Sequence, residues 1–114
     1  MTHVNADLHC SSLGGHLAVP RSQEQHQCVT DMTTFDWTWL GVTDLAVEGL
    51  YDAADAGADI PADAPFWKAD EPAVTFADMM DCVSVFSGEW AVSSCDMEMA
   101  SACQMPAGYL GICP

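Results

Sequence analysis

Basic residues are nearly absent from this chain. Across 114 residues only Arg21 and Lys68 carry fixed positive charge, against seventeen aspartates and glutamates and a formal net charge of −15. Phosphate backbones and anionic lipid surfaces are held through Lys and Arg, so nucleic acid and charged membranes are excluded as partners. No apolar run approaches the ~18 residues needed for a membrane span, and membrane insertion is not expected. The chain opens on a polar, amphipathic segment with no secretion-signal pattern; a secreted form is expected to have lost its signal, with Met1 not its native start. Also missing is any pair of cysteines at the two-residue spacing of zinc knuckles or redox motifs.

What is present is six scattered cysteines, at 10, 28, 82, 95, 103 and 113. In a single small domain, whose core alone gives marginal stability, an even number of scattered cysteines predicts three disulfides and an oxidising, extracellular compartment. The count alone leaves the pairing open.

His3, Ala6, Cys10 and Leu13 recur at helical spacing, and Gly14-Gly15 follows as a stop, which predicts a first helix over Thr2–Leu13. Ser22-Gln23-Glu24-Gln25 has the form of a capping box, and Cys28, Val29 and Met32 supply a stripe, predicting a second helix over Gln23–Thr34. Thr38–Val42 is aromatic and β-branched and suits a buried strand. Asp44–Glu71 contains eight acids and one lysine with little periodicity and reads as a long irregular loop. Cys82–Phe86 and Trp90–Ser93 form strands about a turn at Ser87-Gly88-Glu89, and Ser101–Met105 offers a last strand. Helices first and strands later make the class α+β with a mainly antiparallel sheet.

These features, with the words "LGGHLAVPRSQEQ" (13–25), "TWLGVTD" (38–44), "DEP" (70–72), "DCV" (81–83) and "EWAVSSC" (89–95), resemble a C-type lectin-like domain of the short invertebrate type over about residues 1–106. The resemblance implies that Cys10 pairs with Cys103 and Cys82 with Cys95. Cys28 and Cys113 are left over and are expected to bond to each other, the alternative being an intermolecular link. The family's first strand, before helix one, is missing here. The tail at 107–114, "AGYLGICP", is expected to return along the sheet edge and cover it, since an open edge invites aggregation.

In the lectins of this family a calcium ion is held by oxygen side chains, and sugar hydroxyls complete its shell. Glu71 matches one such position. Ala73, Met80 and Ala91-Val92 stand at the others and cannot coordinate a hard cation. The resemblance therefore implies that the family's sugar-chelating site is lost and that no cofactor is required. An auxiliary calcium position keeps Asp44, Glu48 and Asp81, although Val74 replaces a further acid; calcium held there would be weak. The run from Asp52 fails as an EF-hand, because Ala54 takes the place of a ligand and no glutamate closes the loop.

His3, Asp7, His9, His16 and His26 have no informative metal spacing, so zinc is not expected; His3 falls where the family has a core tryptophan. No nucleophile stands with a credible base, so the chain is not expected to be an enzyme. Aromatics flank the loop: Phe66, Trp67 and Trp90 could stack on sugar faces, but the resemblance favours support from within.

The functional expectation is a secreted, non-enzymatic recognition module. Its ligand is a microbial cell-wall or cell-surface glycan in an innate defence role, with Trp67, Glu71, Asp81 and Trp90 lining or supporting the site. Two alternatives are an acidic, calcium- or mineral-associated matrix protein and a module that binds a basic protein. The oligomeric state is left open.

Overall fold

A computed structural model describes residues 1–33, 36–47, 49–61, 64–69, 71 and 80–105. The tail 107–114, and with it Cys113 and the expected Cys28–Cys113 bond, lies outside the described residues, as do Glu48, Ala73 and Val74.

Helix α1 spans His3–Ser12, with Thr2 as N-cap accepting from the Asn5 N–H. His3, Ala6 and Cys10 are its buried face, as the spacing predicts. Leu13, expected on that face, is exposed instead, because the chain leaves the helix there and Gly15 donates back to the Cys10 carbonyl. A two-residue strand follows, β1 at His16–Leu17, which the sequence had not suggested.

Helix α2 spans Gln23–Met32 and is capped by Ser22, whose hydroxyl accepts from the Gln25 N–H at 3.2 Å. The Gln25 side chain accepts in turn from the Arg21 N–H, 2.8 Å away, one residue upstream of the usual capping-box partner. The helix stops earlier than expected. Thr33 turns its hydroxyl back onto the Val29 carbonyl at 2.7 Å, and Met32 is exposed, the buried side belonging to His26 and Val29.

The sheet is built on β2, Thr38–Val47, flanked by β3 (Leu50–Ala53) and β4 (Cys82–Phe86), with β5 (Glu89–Ser93) beyond β4, all antiparallel. A short β6 (Ala100–Ser101) pairs with Thr38 and Trp39 in parallel, and β7 (Cys103–Gln104) pairs with β1. The single last strand expected over Ser101–Met105 is thus two pieces, divided where Ala102 accepts from the Ala18 N–H.

The larger correction concerns the long loop. Its first part is a hairpin, β2 running on to Val47 and returning as β3. The register shifts between Thr43 and Val47, and Leu45, Ala46 and Val47 are all exposed, so no alternation of burial marks the strand in the sequence. Gly41 explains why β2 can be so enclosed: a Cβ there would sit 2.5 Å from the Leu17 carbonyl oxygen and 2.7 Å from the Ala54 Cβ. At the β4–β5 turn Ser87 and Gly88 both take positive φ, 49° and 82°, the conformation that suits a tight hairpin.

Two core clusters lie on this frame. One joins Ala6, Cys10, Leu17, Trp39, Cys82 and Met99 beneath α1. The other gathers Val19, Val29, Leu40, Val42, Tyr51, Ile60, Val83, Val85, Trp90 and Val92, with Phe66, Trp67 and Met80 packed against it. Disulfides close Cys10 to Cys103 and Cys82 to Cys95. Met1 lies beside Met99, its terminal ammonium donating to the Met99 carbonyl and the Met99 N–H to the Met1 carbonyl, and the Trp39 indole donates to the Met1 carbonyl at 3.0 Å. No helix among the described residues is long and apolar enough to cross a membrane.

Candidate functional site

The stretch from Phe66 to Lys68 is laid against the outer edge of β5 by backbone hydrogen bonds. The Trp90 N–H donates to the Phe66 carbonyl and the Lys68 N–H to the Trp90 carbonyl, both at 2.9 Å. A tight turn, the Glu71 N–H on the Lys68 carbonyl, then aims the Glu71 side chain back at the strand. Its carboxylate accepts from the Val92 N–H at 3.1 Å. Glu71 therefore secures the loop to the sheet edge.

This geometry decides how well the residues fit calcium at the sugar-chelating position. The carboxylate that matches the family's ligand is engaged with the backbone. Val92, its donor, is buried, and Met80 packs against the apolar core. A hard cation needs six to eight oxygens, and thioether and alkyl groups supply none. Of the described residues that the resemblance assigns to this position, Glu71 alone carries a side-chain oxygen.

The auxiliary position is different. Asp44 is 2% exposed, its Oδ2 accepts from the Gly49 N–H at 2.9 Å, and its Oδ1 has no hydrogen-bond partner among the described residues. A buried carboxylate oxygen left without a donor is costly, and a cation is one way to satisfy it. The Asp44 N–H donates to the Asp81 carbonyl at 3.0 Å, so these two acids are held side by side on β2 and the start of β4. Asp44 fits a calcium ligand; among the described residues no group of three or more His, Cys, Asp or Glu is gathered closely enough to hold a metal.

The aromatics form a connected cluster. Phe66 stacks on the His26 ring at 4.2 Å with 17° between planes, and Trp67 meets Trp90 edge-on at 5.6 Å. Tyr51 lies 5.3 Å from Trp67, whose indole donates to the Pro61 carbonyl at 3.1 Å. Trp90, one of the expected site residues, is 0% exposed. It borders the cleft described below from beneath and acts as the support on which Phe66 and Trp67 rest, because β5 turns its side chain into the core. Trp67 and Phe66 are half-buried and keep a face toward solvent.

Between the start of α2 and this segment lies a cleft of about 450 Å³, lined by Pro20, Gln23, Ile60, Pro61, Pro65 and Phe66 among others. Arg21 stands on its rim. Its guanidinium grips Asp55 through two hydrogen bonds of 2.7 Å and adds a third to the Ala58 carbonyl. That contact holds the Asp55 carboxyl down to about 2, and the same hydrogen bond raises Arg21. Sequence reasoning missed Phe66's partner His26 and the role of Arg21. The scarcity of cations was the available signal for Arg21, but nothing local pairs His26 with a residue forty positions away.

The histidines are dispersed. His3 is buried against Trp39 and donates from Nε2 to the Leu40 carbonyl at 2.9 Å, His26 sits among the aromatics, and His16 donates to the Leu17 carbonyl. Burial pushes both His3 and His26 below the usual imidazole range, opposed by hydrogen bonds to the Leu40 and Gly88 backbones respectively.

Among the described residues, two helices beside a mainly antiparallel sheet, the Cys10–Cys103 and Cys82–Cys95 disulfides bracing it, and a loop folded onto the β4–β5 hairpin define a lectin-type recognition domain. The profile of the lectin C-type domain matches residues 1–105, and the chain belongs to that family. It is 30% identical over 107 residues to the hepatic lectin of Gallus gallus, covering 93% of this chain and 51% of that protein. To collectin-11 of Danio rerio it is 28% identical over 103 residues, which is 87% of this chain and 37% of that one. The chain thus spans between about a third and a half of these relatives. Its fold is also that of a solved calcium-independent type II antifreeze protein, with a TM-score of 0.77, 25% identity, and coverage of 90% of this chain and 77% of the other. C-type lectin domains are non-enzymatic recognition modules, and the family usually uses calcium.

Proposed function

We propose that this domain is a secreted glycan-recognition module that works without calcium at the family's sugar-chelating position. The observation that carries the reading is the Glu71 carboxylate bound to the Val92 N–H; the resemblance adds that Met80, Ala91 and Val92 stand at positions where further oxygens would be required. The ligand class is a cell-surface or microbial cell-wall glycan. It meets the surface around Phe66 and Trp67, whose partly exposed rings offer apolar area to a sugar, and the adjoining cleft offers Ser22, Gln23 and Arg21 as polar partners. Trp90 and Glu71 hold that surface in place, while Asp81 stands beside Asp44. The likeness to a calcium-independent antifreeze protein supports the idea that the fold does not depend on the ion. Two disulfides support an extracellular setting.

Calcium, in this account, is an accessory. Asp44, Glu48 and Asp81 would supply oxygens for an ion of structural effect only, bound in the ~10⁻⁴ to 10⁻³ M range of extracellular modules. The experiment is a pull-down on insoluble cell-wall polysaccharide and a glycan panel, with calcium or with a chelator, using the native chain and Trp67→Ala. Retention in chelator, with loss in Trp67→Ala, is the expected result. Binding that vanishes with chelator and is competed by simple hexoses would overturn the proposal.

A further inference from the structure

On the α1 side of the domain there is a second concavity, of about 370 Å³, sharing no lining residue with the cleft beside Phe66. Val4 and Leu45 stand at it, 64% and 62% exposed, and Ala53 and Ala54 also line it. Leu8, one helical turn beyond Val4, and Val47 and Leu50, at the end of the β2–β3 hairpin, extend the exposed apolar surface. Nothing in the core requires these side chains to be apolar. Asp7, Asp52 and Asp96 line the same groove, which contains no lysine or arginine, and its histidine, His3, is buried on the Leu40 carbonyl.

We infer that this groove docks a cationic, aliphatic-bearing segment of another protein, whose apolar side chain seats against Val4 and Leu45 while its Lys or Arg groups face Asp7, Asp52 and Asp96. Charge selects this occupant. A second copy of the chain would bring one net charge of −15 against another, and any anionic ligand would meet the same repulsion. An apolar centre ringed by charge of one sign is the arrangement that gives affinity through the centre and partner choice through the rim. The inference is independent of the glycan reading, because the two surfaces have no residue in common.

The test uses the whole chain and a fluorescent peptide of alternating Lys and Leu, followed by anisotropy, with Glu/Leu and Lys/Ser peptides beside it. Saturable binding of the Lys/Leu peptide is expected, with none of the Glu/Leu peptide. Val4→Ser and Leu45→Ser should each weaken it about tenfold, the usual consequence of removing an apolar anchor. Both residues are largely exposed, so an unchanged melting temperature will show that the variants fold. Asp7→Asn/Asp52→Asn/Asp96→Asn should weaken binding at low salt and flatten its salt dependence, since screening lengths fall from ~10 Å at 0.1 M to ~3 Å at 1 M. Equal binding of the Lys/Ser peptide would mean diffuse charge attraction and overturn the inference. So would binding unaffected by Leu45→Ser, or self-association in sedimentation that Leu45→Ser abolishes.

Discussion

Around α1 the chain is braced covalently, whereas the stretch from Ala64 to Ala69, with Glu71, is held by ring contacts and a few backbone hydrogen bonds. Cys10–Cys103 ties the first helix to the last strand across 93 residues, Cys82–Cys95 closes the β4–β5 region, and the His3 N–H adds a 3.0 Å bond to the Cys95 carbonyl. The other region depends on Trp90 as a buried base for Phe66 and Trp67, and on one carboxylate, Glu71, as its latch. The comparison separates two tasks. Covalent bracing fixes the frame in a small domain whose apolar burial is limited, while non-covalent aromatic packing shapes a surface on that frame.

The largest effect should come from breaking the brace. Replacing Cys10 and Cys103 by Ala should cost about 4–5 kcal/mol in denaturant unfolding, and replacing Cys82 and Cys95 about 3 kcal/mol, because the longer loop restrains the unfolded chain more. Similar losses from both would show that loop length is not what matters. Trp90→Ala comes next: removing a fully buried indole should destabilise by about 3–5 kcal/mol and should also abolish glycan retention, since Phe66 and Trp67 lose their base. Trp67→Ala, at a half-buried position, should cost far less stability while removing the same retention, which a glycan pull-down and a thermal melt on one sample can distinguish.

A smaller effect sharpens the contrast through pH. His3 belongs to the braced region and His26 to the aromatic one, and burial lowers both from the ordinary 6.5. Below about 6.5 the unfolded chain binds protons that the folded chain resists, so stability should fall as pH drops through that point and be flat above it. Urea midpoints across this range should show the slope, reduced by His3→Asn and by His26→Asn separately. The smallest effect is expected from Asp55→Asn. Arg21 depresses the Asp55 carboxyl from 3.8 to about 2, so the pair contributes above that range and is lost as pH falls through it. Both side chains are partly exposed, and the loss should be no more than about 1 kcal/mol.

Much of the frame was legible in the sequence, because its signals are local. The His3, Ala6, Cys10 spacing, the Ser22 cap and the apolar word at Thr38–Val42 each declare their element without help from elsewhere. The β2–β3 hairpin was not legible: its outer residues are apolar yet exposed, and a register shift removes the alternation that would betray a strand. The sites divided likewise. That the side chains of Met80, Ala91 and Val92 carry no oxygen donor can be seen in the chain itself, since it follows from residue type. That Glu71 is engaged with the Val92 backbone, that Trp90 is sealed beneath its neighbours, and that His26 stacks on Phe66 depends on contacts between distant parts of the chain.

The account stands or falls on whether calcium centres on Glu71. Calorimetric titration of calcium into the native chain and Glu71→Gln, each with and without a simple hexose, addresses this directly. The expected outcome is weak binding, indifferent to both the hexose and the Glu71 substitution. Tight binding that the hexose strengthens and Glu71→Gln removes would contradict it.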